Sequence, residues 1–219
     1  MAVSAAVGCR LTNGSEVIIM TSGQAGTAVR TPAAERIMEA ASRLFYERGI
    51  RAVGVDTIAA EANVTKVTLY KHFGSKDGLV AAHLHARDER WRELWREIAD
   101  RHEEPSERLL AVFDAYEQWL VADNFRGCAF VNASAEIADT EHPARVVTDE
   151  HKAGFRRDLA AMAARAGHEP AEKLADELLV LLEGATVTAA LRRNSEPLRL
   201  ARDIARRMLG MTADVPSTS

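Results

Sequence analysis

The chain reads as an all-α protein: an N-terminal three-helix helix-turn-helix head plus a larger helical domain, about nine helices in all. Three observations predict this. Apolar residues recur at a helical period along almost the whole chain beyond residue 30. No strand-like alternation and no internal repeat interrupts them. The breaks between periodic stretches fall at Gly or Pro, the residues that stop helices or open them.

Residues 1–30 are rich in Gly, Ser, Thr and Ala without lasting periodicity and are expected to form a flexible tail, with Met20 a possible alternative start. At Thr31-Pro32 the pattern turns helical, with an N-cap followed by proline at the first helical position. Ile37, Ala40, Ala41, Leu44 and Phe45 then form one apolar stripe that ends at Gly49. Gly54 precedes a short second helix, Val55–Ala62. Asn63-Val64-Thr65 forms a turn, and Lys66–Phe73 a third short helix. Gly74 stops that helix and Ser75 caps a fourth, with Asp77 in its first turn. Longer helices follow, with stripes through Trp91-Trp95-Ile98, Leu109-Phe113-Tyr116-Leu120, Phe155-Leu159-Met162, Leu174-Leu178-Leu182-Ala185-Ala189 and Ala201-Ile204-Ala205-Met208. The expected organisation is a head over 31–78, a ligand-binding and dimerisation body over 79–212, and a flexible tail over 213–219.

Composition excludes several classes. The chain has 219 residues, 47% hydrophobic and 27% charged, which is ordinary for a globular protein. No apolar run approaches the roughly 18–20 residues of a membrane helix, and no secretory signal is recognisable, so a cytoplasmic location is expected. Cys9 and Cys128 suggest neither a disulfide framework nor a zinc site. His83 and His85 are two apart on a helix and diverge. No HExxH or CxxC is present, so no metal is expected. Without G-x-S-x-G, P-loop or dinucleotide-binding glycines, no catalytic residues and no cofactor are expected. The net charge of −4 is uneven: Arg30–Val80 carries 8 Lys/Arg against 6 Asp/Glu, whereas the chain from Ala81 onward carries 19 against 25. The basic excess therefore sits in the N-terminal third, where it can meet phosphate.

The stretch Ile58–Gly78, IAAEANVTKVTLYKHFGSKDG, has the helix–turn–helix layout by which proteins read DNA. Leu69, Phe73 and Val64 can face a small core. Thr65, Lys66, Thr68, Lys71 and His72 then point outward, flanked by Val67 and Tyr70. Such a face offers cations for phosphate or guanine, hydroxyls for either, and methyls for thymine.

The segments IMEAASRLFYERG, VDTIAAEANV and TKVTLYKHFGSKDGL together resemble the DNA-binding head of the tetracycline-repressor (TetR) family, over about 48 residues from Pro32 to Leu79 without a gap. The resemblance implies DNA-facing roles for Lys66, Val67, Thr68, Tyr70, Lys71 and His72, a backbone contact from Thr57, and a phosphate contact from Lys76. Two departures stand out: Val67 replaces the family's frequent Gly or Ala, and Val53-Gly54 replaces its Thr or Ser before the second helix.

Beyond the head the resemblance is weaker. RGCAFVNASAEIADTEHPAR, Arg126–Arg145, looks like a stretch found in some members. Trp91, Trp95, Phe113, Tyr116, Trp119, Phe130 and Phe155, with Asn132 and Glu136 as polar partners, are the candidate ligand-binding residues. Leu178, Leu182, Gly184, Ala185, Ala189, Ile204 and Met208 are the candidate dimer interface. The implied protein is a homodimeric repressor released from a palindromic double-stranded DNA operator by an unknown small molecule. An activator, or a regulator answering to a protein partner, is the alternative; a small-molecule-binding enzyme is a remote one.

Overall fold

The computed structural model describes residues 31–211. The expected tails, Met20 as a start, and Cys9 lie outside the described residues. Nine α-helices and no strand occur among the described residues: α1 Pro32–Arg48, α2 Val55–Glu61, α3 Lys66–Phe73, α4 Lys76–Ala99, α5 Pro105–Ala122, α6 Ala129–Glu136, α7 Pro143–Arg165, α8 Ala171–Arg192 and α9 Glu196–Met208. None is long and apolar enough to cross a membrane.

The helix starts follow local chemistry. Thr31, Thr65 and Ser75 each accept a hydrogen bond from a backbone N–H three residues on, which satisfies one orphan donor per helix. Gly54 caps α2 without a side-chain bond. Prolines 105, 143 and 197 lie in the first turns of α5, α7 and α9, where a missing N–H costs nothing. The α5 cap is the Glu104 carboxylate, which accepts from Ser106 N at 2.6 Å. The α7 cap is His142: its Nδ1 accepts from Ala144 N at 3.0 Å, and its Nε2 lies 3.2 Å from Asp77 at the start of α4.

The apolar stripes build two cores. The first joins α1, α2 and α3 through Ile37, Leu44, Ile58 and Leu69, and also takes in Leu79, Val80 and Leu84 of α4, Phe130 and Ala133 of α6, and Val147 of α7. The second unites Trp91 and Trp95 of α4 with Leu109, Phe113 and Leu120 of α5, Phe155 and Leu159 of α7, Leu178 and Leu182 of α8, and Ala201 and Ala205 of α9. α4 crosses residue 78 without a break and serves both cores, as does α7.

Candidate nucleic-acid interface and helical body

α3 is held by its buried Leu69, so its opposite face is presented outward. Val67 is 77% exposed and Tyr70 45%, and Thr57, Thr65, Lys66 and Lys71 are exposed beside them. The outer face of α3 thus combines cations and hydroxyls with apolar surface from Val67 and Tyr70. Lys66 Nζ lies 2.6 Å from Asp56 Oδ1 on α2, an exposed pair worth about 0–1 kcal/mol, so a phosphate can compete for that lysine at little cost.

The remaining expected positions are less open. Thr68 is half-buried, its Oγ1 2.9 Å from Thr65 Oγ1. His72 is half-buried, its Nε2 3.4 Å from Thr31 Oγ1, which ties the end of α3 to the start of α1. Lys76 donates to the Ile50 carbonyl at 2.7 Å. That bond holds the α1–α2 loop on the start of α4, a structural duty the sequence did not announce.

Sequence reasoning also missed the residues that hold the head together. Arg36 Nε donates to the Ala62 carbonyl at 3.1 Å and fixes the turn before α3 to α1. Arg43 pairs with Glu61 across α1 and α2. Both arginines lie on the exposed side of α1. Only the fold brings them opposite their partners.

In the body, Trp91, Trp95, Tyr116 and Phe155 form one aromatic cluster, with Trp119 edge-on to Trp91 at 6.0 Å. Phe113 is fully buried in the same core. Phe130 stacks face to face on His151 at 3.7 Å. A small chamber of about 20 Å³ lies among Trp91, Tyr116, Trp119, Cys128, Phe130 and His151, room for about one water molecule. His151 Nδ1 sits 2.5 Å from Asp88 Oδ1. Burial pushes the His151 pKa down, more than the Asp88 carboxylate raises it. Burial pushes Asp88 up, but hydrogen bonds from His151 and Arg92 prevail and hold it low. Neutral His151 therefore donates its Nδ1–H to Asp88. Its Nε2, Trp91 Nε1 and Trp95 Nε1 are buried without a partner among the described residues.

Asn132 and Glu136 do not join the aromatic cluster. Asn132 donates to the Arg126 carbonyl at 3.0 Å, and Glu136 accepts from Arg51 N at 2.8 Å. Both line a separate cleft between α6 and the α1 end. Their i, i+4 spacing correctly put them on one face of α6, but that face meets the head.

The expected dimer residues divide in the same way. Leu178, Leu182 and Ala189 turn into the subunit's own core, whereas Ala185, also mostly covered, borders the outer α8–α9 cleft beside Val180 and Gly184. Gly184 is exposed with open space around it, Ile204 is half-buried, and Met208 is 40% exposed. Val180, Val187, Leu191 and Leu200, not singled out by sequence, make the outer apolar face of α8 and α9.

A capped short helix with an open cationic and apolar face, docked on α1 and α2 and joined to a long-helix body, is the arrangement of a helix-turn-helix DNA-binding transcriptional regulator. Residues 37–83 match the family described as bacterial regulatory proteins, tetR family, and residues 105–205 match the tetracyclin repressor-like C-terminal domain. The crystal structure of SCO4454, a TetR-family transcriptional regulator from Streptomyces coelicolor, superposes with a TM-score of 0.75 at 31% identity, covering 81% of this chain and 96% of that one. The HTH-type transcriptional repressor DhaR of Mycobacterium sp. strain GP1 is 28% identical over 190 residues, 77% of this chain and 88% of that protein. An uncharacterised regulator of Mycobacterium tuberculosis is 43% identical over 79 residues; this match spans 36% of the chain and only 39% of that relative. The chain belongs to the TetR family of helix-turn-helix transcriptional regulators.

Proposed function

We propose that the protein is a homodimeric repressor that binds a palindromic operator through α3 and leaves it when a small molecule enters the body. The observation that carries this reading is the outward face of α3, where Val67, Tyr70 and Lys71 stand in solvent with no intramolecular use. A helix of this width fits the major groove, and its methyls, hydroxyls and cations match base edges and phosphates. Thr57, Thr65, Lys66, Thr68, His72 and Lys76 complete the DNA face. Lys76 and His72 would reach phosphate from side chains already braced within the head.

The apolar strip along α8 and α9 supports a second copy: Leu191 is 81% exposed and Val180 75%. Two heads about 34–36 Å apart would read successive major grooves. DhaR's designation as a repressor supports the sign of regulation. The unpartnered polar atoms among the body aromatics support ligand binding, because buried polar groups are normally paired. The reading places the protein in the cytoplasm with the DNA, and gives it no catalytic step.

Selection of sites from a random duplex pool, with full-length protein at near-physiological salt, tests the proposal. A palindrome with half-sites about one helical turn apart is expected. Lys71→Ala should then either lower the salt slope by about one or cost about 1–3 kcal/mol at a single base position. An unselective pool, together with unchanged binding by Lys71→Ala, would remove α3 as the reading helix.

A further inference from the structure

A cleft of about 580 Å³ opens on the body between α4, α7 and the start of α5. That volume lies within the range that holds small organic molecules. Its wall is apolar: Trp95, Ala99, Pro105, Ala161 and Met162. Its rim is cationic. Four arginines line it, Arg92, Arg96, Arg108 and Arg165, against two carboxylates, Asp100 and Asp158. The two carboxylates are already engaged: Asp158 takes Arg92 Nη1 at 2.5 Å, and Asp100 takes Arg108. Arg96 and Arg165 have no carboxylate within 4.0 Å among the described residues. Both are exposed, one on α4 and one on α7, and both line the cleft.

The floor is aromatic. Trp95 is only 5% exposed, yet its indole Nε1 has no hydrogen-bond partner among the described residues. The nitrogen itself is enclosed, so Trp95 offers the cleft the face or edge of its ring rather than its N–H. Trp95 also stacks on Trp91 at 6.2 Å and meets Phe155 edge-on at 5.1 Å. An occupant of the cleft therefore presses directly on the aromatic core. Gly154 contributes to the arrangement: a Cβ there would lie 2.7 Å from Arg92 Nη2, so the missing side chain lets Arg92 cross to α7 and pair with Asp158.

We infer that this cleft binds an amphipathic organic anion: a carboxylate gripped by Arg96 and Arg165, with a hydrocarbon or aryl body lying along Trp95 and Met162. A guanidinium holds a carboxylate by directed, charge-assisted hydrogen bonds. A cleft lined by one sign of charge with low-dielectric walls concentrates the opposite ion. A neutral ligand would leave both arginines unused, and a free inorganic anion would leave the apolar wall bare. The inference deepens the ligand-release reading and rests on it only for its regulatory meaning; binding itself can be measured without DNA.

The test is isothermal calorimetry on the full-length protein with two matched pairs, decanoate against 1-decanol and 4-phenylbutyrate against 4-phenylbutanol. In at least one pair the acid should bind about tenfold or more tightly than its alcohol. The double variant Arg96→Ala/Arg165→Ala, in which neither side chain has an internal partner to lose, should remove that preference while alcohol binding and thermal melting stay unchanged. Acids and alcohols binding alike in both pairs, or a double variant that keeps the preference, would overturn the inference. Acid binding that leaves operator affinity untouched would uphold the cleft and sink the release mechanism, so the two readings can fail separately.

Discussion

Gly78 stands in the first turn of α4, where helix propensity alone would prefer alanine by about 1 kcal/mol. Its surroundings reverse that preference. A Cβ at Gly78 would collide with the Phe73 carbonyl oxygen, a backbone atom that cannot swing aside. The tight α3–α4 junction, with Ser75 Oγ accepting from Gly78 N at 2.9 Å, exists only because this position is bare. Gly78→Ala is therefore expected to destabilise the head by about 1–3 kcal/mol, read as a lower urea midpoint; an unchanged or raised midpoint would show that the junction relaxes. His83 is buried against Phe45 with Ser42 Oγ 2.9 Å from its Nδ1. Burial, with Arg87 and Arg90 nearby, pushes its pKa down to about 3. The folded protein thus keeps this ring neutral, while the unfolded chain takes up a proton below about pH 6.5. Its contribution is fully present above that pH and is lost as pH falls toward 3, at up to about 1.4 kcal/mol per unit. From pH 7 to pH 5, wild type should lose about 2 kcal/mol more stability than His83→Phe, whose ring cannot titrate. Equal losses in the two proteins would contradict the buried neutral assignment.

Among the elements, α8 shows what a sequence can and cannot disclose. Its stripe Leu178-Leu182-Ala185-Ala189 has the spacing of a buried face, and that face is buried, against the subunit's own α5, α7 and α9. A second stripe, Val180-Val187-Leu191, lies on the other side and stands in water. Periodicity locates apolar faces but does not say which packs within the chain and which is left exposed. The head was legible for the opposite reason. Its caps, glycines and core spacings are all local, so α1 to α3 followed from neighbouring residues. The arginine pairs and the separation of Asn132 and Glu136 from the aromatics depend on contacts between distant segments. Burial separates the two faces of α8. Val180→Glu/Leu191→Glu alters only exposed positions, so the subunit should keep its helical content and melting cooperativity. It should nonetheless sediment as a monomer and lose operator affinity, because each α3 alone spans too few base pairs. A variant that stays dimeric in sedimentation equilibrium would place the interface elsewhere.

At the scale of the whole molecule, the question is whether the body can inform the head at all. Two helices run through both cores: α4 gives Leu79, Val80 and Leu84 to one and Trp91, Trp95 and Ile98 to the other, and α7 divides likewise at Val147 and Phe155. The seam between the cores is fastened by Arg87, almost fully buried, which pairs with Asp123 and lies 4.9 Å over the rings of both Tyr46 and Trp119. Tyr46 of α1 donates to the Asp123 carbonyl, and burial with the Asp123 charge nearby pushes its pKa up to about 12. An acid lodged against Trp95 would thus reach α1 through Trp91, Trp119 and Arg87, by contacts between packed side chains. Shared helices and a buried ion pair also imply that head and body unfold together. All three tryptophans lie in the body, so their fluorescence follows the body alone, whereas amide exchange of α1 to α3 follows the head. In wild type the two urea transitions should coincide. Arg87→Ala removes the buried guanidinium that pairs with the partly exposed Asp123 and should cost about 1.5–3 kcal/mol in both transitions at once. If the head exchanges well before the tryptophans respond in wild type, the two cores are independent units. A ligand in the body would then have no rigid connection through which to move α3, and release from DNA would have to work through the dimer interface instead.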